Sequence, residues 1–153
     1  MKKIASFTVN HDTLEKGMYI SRIDGDVVTY DIRMKKPNGG DYLHMSAAHT
    51  LEHLFATYAR NSQYGDKIVY VGPMGCRTGF YLLTRETLTH AQAIALVKES
   101  MAFVRDFEGE IPGNKKEECG NYLDHDLVGA KEIGGEMCAV LENWTEKDLQ
   151  YKE

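Results

Sequence analysis

Apolar and polar residues recur along this chain with two different periods, and the switches between them mark out its elements. From Ser46 to Ser62, Ala47, Leu51, Leu54, Phe55 and Tyr58 follow one another at three- and four-residue steps, the spacing of one face of a helix. His49, Glu52, His53 and Ala56 fall on the adjoining face. Thr89 is placed to cap a second helix reaching Phe107, with Ile94, Val97, Met101, Val104 and Phe107 along one side. A third helix is expected from about Asp124 to Asn143, weakened at Gly134-Gly135, where each glycine costs about 1 kcal/mol relative to alanine.

The other period is two. Val27-Val28-Thr29-Tyr30-Asp31-Ile32, rich in β-branched and aromatic residues, predicts a strand that ends before the turn formers Pro37-Asn38-Gly39-Gly40. Lys67 to Val71 and Gly79 to Leu83 read as neighbouring strands joined through Gly72-Pro73-Met74-Gly75-Cys76. Strands and helices interspersed in this way, without repeat or linker, predict one α+β domain over residues 1–153, with helices packed on one face of a sheet.

At 153 residues the chain can bury a core without disulfide staples. A formal charge of −5 opposes a phosphate backbone, and the longest basic runs are the pairs Lys35-Lys36 and Lys115-Lys116, so no nucleic-acid partner is expected. No apolar run approaches the ~20 residues that cross a bilayer, and the first residues lack a signal-peptide core. No membrane association and a cytoplasmic location are therefore expected. The three cysteines, Cys76, Cys119 and Cys138, include no Cys-x-x-Cys pair, which argues against both a disulfide framework and a zinc ribbon.

Chemistry enters on the first helix. Residues four apart lie on one face with Cβ atoms roughly 5–6 Å apart, so His49 and His53 can aim ring nitrogens at a common divalent ion. Glu52, next to one ligand, is placed to move protons for whatever that ion polarises. Hydrolysis and proton transfer both remain open at this point, since His-x-x-Glu-His is also the inverted zinc-protease spacing. A catalytic ion normally takes three protein ligands, and the third is open among Cys119, His125, the acids near Asp124 and Asp126, and Cys76. Polar neighbours favour Cys119 as a ligand, whereas Cys138 among Met137, Ala139, Val140 and Leu141 reads as a small core residue. Cys76, after a glycine in a turn, can project into a cleft beside Arg77. His11, Arg33 and Arg60 could contact an anionic group and otherwise read as surface residues, while Met45, Met74 and Met101 read as core filler.

These segments, in this order, resemble the S-ribosylhomocysteine lyases, the LuxS family that makes the autoinducer-2 precursor of quorum sensing. The likeness is carried by Ser6-Phe7 with His11, by Asp31-Ile32-Arg33 with Pro37-Asn38-Gly39, and by His49-Thr50-Leu51-Glu52-His53-Leu54-Phe55-Ala56. It continues through Pro73-Met74-Gly75-Cys76-Arg77-Thr78-Gly79-Phe80-Tyr81 and Glu118-Cys119-Gly120-Asn121-Tyr122. The resemblance implies an antiparallel sheet with helices on one side, and a metal held by His49, His53 and Cys119. That metal would be Fe2+, replaceable by Zn2+ or Co2+. It further implies Cys76 and Glu52 as the acid/base pair, and Ser6, His11, Arg33 and Arg60 as lining the pocket for S-ribosylhomocysteine. The family is a homodimer with its active sites at the interface. One departure is plain: Tyr70-Val71-Gly72 stands where many members carry Asp-Ile-Ser, so no role of that Asp or Ser transfers. The rivals are a small metallopeptidase, in which Glu52 would activate water, and a metal-binding module without catalysis, which would leave Cys76 and Glu52 without a task.

Overall fold

The computed structural model describes residues 1–152. Its elements are β1 (Gly17–Asp24), β2 (Val27–Arg33), α1 (Met45–Asn61), β3 (Ile68–Pro73), β4 (Gly79–Arg85), α2 (His90–Asp106) and α3 (Leu127–Val140), with short 3-10 turns at Ala5–Phe7, Gly65–Lys67 and Glu146–Leu149. The four strands form one sheet in the order β1-β2-β4-β3, every neighbouring pair antiparallel. The α+β reading and the antiparallel sheet both hold.

Strand β1 is an element the sequence pattern did not announce. Its pairing with β2 slips between Ile20 and Arg22, and a bulge resets the two-residue alternation so that no continuous period marks the strand. Burial also fades along it, from fully covered at Gly17–Tyr19 to exposed at Arg22–Asp24, as befits an edge. A two-residue turn joins it to β2, with Gly25 at φ 60°.

One sheet face carries Met18, Val28, Tyr30, Ile32, Val71, Phe80 and Leu82 into the core. There they meet Leu51, Leu54 and Phe55 of α1, Val97 and Met101 of α2, and Ile133 and Met137 of α3. Fully burying one such side chain contributes roughly 1.5–3 kcal/mol, so this shared interior is what fixes α1 against the sheet. The cap expected at Thr89 is present, and Gln92 completes it into a capping box. Helix α3 starts only at Leu127, because Asp126 accepts the Gly129 N–H and takes the N-cap position. Gly134 is a packing requirement and not merely a weakness: a Cβ there would stand 2.9 Å from both the Met101 carbonyl and the Arg105 nitrogen of α2.

The opposite sheet face carries polar residues that are nonetheless covered. Tyr19, Asp31 and Arg33 lie there under the C-terminal segment, whose Tyr151 ring stacks on Tyr19 at 5.1 Å. Arg33 is 3% exposed, so it is not the surface residue its sequence context suggested. Two other expectations need correcting. Met45, at the first turn of α1 before the core-facing stripe begins, is 71% exposed and does not fill the core. Cys138 is half-buried, because it faces a groove between α2 and α3 lined by Lys98, Arg105 and Glu142. No helix among the described residues is long and apolar enough to cross a membrane.

Candidate metal centre

Helix α1 sets His49 and His53 one turn apart, their rings edge to face at 4.6 Å. The irregular segment between α2 and α3 then folds back over them. It brings Cys119 Sγ to 3.4 Å from His49 Nε2 and 3.8 Å from His53 Nε2. His125, from the same segment, lays its ring flat against His49 at 4.1 Å. Possible ligand atoms of His49, His53, Cys119 and His125 all fall within 4.8 Å of one another. Of the candidates for a third ligand, Cys119 and His125 are in place, while Cys76 is not part of this group.

Backbone carbonyls orient the two helical histidines. Asp124 O lies 2.7 Å from His49 Nδ1 and Pro112 O 2.8 Å from His53 Nδ1. A carbonyl only accepts, so each Nδ1 carries the proton and each Nε2 presents a lone pair toward Cys119. Gly113, at φ 73°, lets the chain pass close over His53, where a Cβ would come 3.1 Å from Nδ1. Burial holds the His125 imidazole below the usual histidine range, and charge on His49 and His53 would lower it further. His125 Nε2 is buried with no hydrogen-bond partner among the described residues. Two pre-oriented imidazole lone pairs and a thiol make up a donor set that fits a divalent transition ion.

Glu52 stands beside this group and lines two cavities. One, of about 460 Å³, also involves His49, Met45, Met74 and Gly75; the other, of about 350 Å³, also involves His53, Arg60 and Pro112. Arg60 donates to Val69 O at 3.1 Å.

Cys76 occupies a different hollow, of about 260 Å³, shared with His11, Tyr42 and Thr78. The turn Gly75-Cys76-Arg77 is the wall between them, with Arg77 lining both sides. Arg77 takes φ 61°, a left-handed conformation unusual outside glycine, and its carbonyl accepts the Leu43 N–H at 2.8 Å. The Cys76 thiol is exposed, 3.0 Å from Thr78 Oγ1 and 4.0 Å from Arg33 Nη1. Arg33 also donates to Thr78 Oγ1 at 2.8 Å, and its guanidinium is held in a bidentate pair by Asp31. Burial opposes the Arg33 charge, but Asp31 outweighs it and keeps the group above its ordinary pKa. Asp31 accepts a further bond from Tyr151 OH at 2.7 Å. Alternation on β2 could have flagged Asp31, two residues from Arg33 on one face, and Thr78 likewise stands two residues after Cys76. Tyr151 had no such signal.

The chain matches the family model described as S-Ribosylhomocysteinase (LuxS) over residues 4–148. It belongs to that family. Among its curated relatives, the S-ribosylhomocysteine lyase of Clostridium acetobutylicum is 49% identical over 158 residues, covering 100% of both chains. That of Phocaeicola vulgatus is 50% identical over 157 residues, covering 99% of this chain and 98% of the relative. That of Porphyromonas gingivalis is 46% identical over the full length of both.

Within this LuxS-family chain the remaining expected pocket residues fall as follows. His11, half-buried with Nδ1 2.9 Å from Val9 O, joins the Cys76 hollow. Arg60 joins the Glu52 side. Ser6 sits in the Ala5–Phe7 turn, outside the hollows lined by Cys76 and Glu52. The Tyr70-Val71-Gly72 departure has a local logic, since the Tyr70 ring folds over Gly72 and occupies the space a side chain there would need. The downstream group that joins the histidines is a thiol and an imidazole, not the carboxylate of an inverted zinc peptidase.

Proposed function

We propose that this chain is a carbon-sulfur lyase that cleaves S-ribosyl-L-homocysteine to L-homocysteine and 4,5-dihydroxy-2,3-pentanedione. The observation that carries the reading is the convergence of His49, His53 and Cys119 beside Glu52, in a chain of the LuxS family. His49, His53 and Cys119 would hold the ion, and Fe2+ suits a set of imidazole and thiolate donors, with Zn2+ or Co2+ able to take its place. When bound, the ion supplies Lewis acidity toward the opened sugar's carbonyl and neighbouring hydroxyl, which makes the adjacent C–H bond acidic.

The chain's own residues then have to move protons. The thioether has no electron sink beside it, so the carbonyl must migrate along the ribose before the C–S bond can break. Cys76, as thiolate, takes a proton from one carbon and Glu52 returns one to its neighbour, after which proton exchange with water restores the thiolate and the carboxylic acid. Two such shifts bring the ketone two carbons from the sulfur-bearing one. Removal of the proton between them then forms a double bond as homocysteine leaves as a thiolate, protonated afterwards, and the resulting enol takes a proton on its terminal carbon and loses the hydroxyl proton to give the dione. Arg33 Nη1, 4.0 Å from Cys76 Sγ, places a fixed positive charge beside the thiol. His11 on the Cys76 side and Arg60 on the Glu52 side would orient the substrate's polar groups, and Ser6, outside both hollows of its own chain, would reach them from a second copy.

The separation of Cys76 and Glu52 into different hollows of one chain supports active sites completed by a second copy. The exposed apolar side chains Phe7, Met45, Leu123 and Val128 are available for such a contact. The working form is accordingly a homodimer with its active sites at the interface. Cysteines that are all unpaired, and an iron-thiolate centre, suit a reducing cytoplasm. The product would serve autoinducer synthesis and homocysteine recycling in the methyl cycle.

The test is direct. Protein purified without oxygen should carry iron by elemental analysis and release free thiol from S-ribosylhomocysteine. Iron-loaded protein that releases none would refute the lyase reading.

A further inference from the structure

We infer that His125 is not a fourth ligand but a fixed hydrogen-bond donor, aimed at the substrate oxygen that is held beside His49, His53 and Cys119; the inference rests on the reading of that site given above.

It follows from where the protons must go. His49 and His53 each turn Nδ1 to a backbone carbonyl, which fixes the proton there and leaves Nε2 bare. His125 is arranged the other way. Its Nδ1 lies 2.8 Å from the Thr50 hydroxyl, and that hydroxyl accepts the Asp126 N–H at 2.9 Å. Thr50 is fully buried, so its own hydrogen cannot go to solvent. Nor is it used on the preceding helical turn, as Ser100 uses its hydroxyl on Leu96 O at 2.7 Å. Among the described residues the acceptor left for it is His125 Nδ1. Nδ1 must then be bare, and the ring proton sits on Nε2.

A ring nitrogen that bears a proton cannot ligate a metal. It can donate, and the Nε2 of His125 is buried and without a partner, on a ring packed against both His49 and His53. Stacking of the ring on His49, at 4.1 Å and 17° between planes, holds it in place beside the ligand group. A buried donor without an acceptor is unfavourable, and an oxygen arriving with the substrate relieves it. The relief grows as negative charge builds on that oxygen during proton removal from the adjacent carbon, which is how a pre-oriented donor accelerates a reaction. The run Cys119 to Asp126 would thus supply both a ligand and an oxyanion donor, with the Asp126 N–H and Thr50 setting the tautomer of the second.

Long-range proton–nitrogen NMR of the zinc-loaded wild-type protein tests the tautomer without any turnover. His125 should carry its proton on Nε2, and His49 and His53 on Nδ1; a His125 protonated at Nδ1 overturns the inference. His125→Gln should bind zinc within about threefold of wild type while kcat falls about 10²-fold, the scale of losing one oxyanion donor. Loss of zinc, or an unchanged kcat, overturns it as well. Thr50→Val should lower kcat in the same direction, and the double variant should fall little below the single His125 variant, as expected for two groups acting through one bond. Failure of the lyase reading would appear separately, as absence of thiol release by the wild-type protein.

Discussion

Asp31 and Arg33 face each other on one side of β2, joined by two bonds of 2.6 and 3.1 Å and both buried beneath the C-terminal segment. A guanidinium in that position is tolerable only while its carboxylate is present. Asp31→Asn should therefore destabilise the fold by about 3–5 kcal/mol, read as a lower midpoint in urea unfolding. Tyr151→Phe removes only the third bond to the same carboxylate and should cost about 1 kcal/mol. A smaller loss for Asp31→Asn than for Tyr151→Phe would show that the ion pair does not anchor this face.

Metal retention should depend on Cys119 more than on Cys76. Cys119→Ala leaves two imidazoles of the three preferred ligands, so the variant should lose most of its metal on dialysis against a mild chelator. Cys76→Ala should keep it, because Cys76 lies outside the ligand group. Metal content by elemental analysis after dialysis compares the two.

Turnover should show the reverse dependence for Cys76. Cys76→Ala, folded and metal-loaded, should release no detectable thiol from S-ribosylhomocysteine, and Glu52→Gln should fall by about 10²–10⁴-fold, the usual contribution of a general acid or base. An active Cys76→Ala variant would remove the thiol from the mechanism.

Alkaline pH should weaken the fold through two buried phenols. Burial pushes Tyr19 and Tyr30 up to about 12, from about 10 in an unfolded chain. A raised folded pKa means that the native state holds its proton where the unfolded state has lost it. Their stabilising contribution is thus complete below pH about 10 and disappears as pH climbs toward about 12. Urea midpoints measured across that interval should fall steadily, and replacing Tyr19 with Phe should flatten the slope.

Gly79 should tolerate no side chain. A Cβ there would overlap the Ile32 carbonyl oxygen across the β2–β4 pair, directly behind the Cys76 turn. Gly79→Ala should cost roughly 1–3 kcal/mol in denaturant unfolding, since backbone and not a flexible side chain must give way.

Much of this was legible in one dimension because it is periodic or local. The α1 stripe, the Thr89 cap and the strand Val27–Ile32 follow from spacing alone, and so does the pairing of His49 with His53, since a four-residue step on a helix is fixed by geometry. Strand β1 was not legible, because a bulge breaks its alternation and an edge strand needs its partner to be defined. The segment from Phe107 to Asp126 has almost no regular structure, so no period could say that its Cys119 and His125 would both close over α1. Nor could the sequence show Arg33 buried, Tyr151 reaching Asp31 across 120 residues, or Cys76 walled off from Glu52 by its own turn. The sequence by itself determined which residue types and helical spacings were available for metal and proton chemistry. Tertiary structure decided which of them meet, and which carbonyl or hydroxyl each Nδ1 of His49, His53 and His125 faces, because those partners are brought in from distant segments.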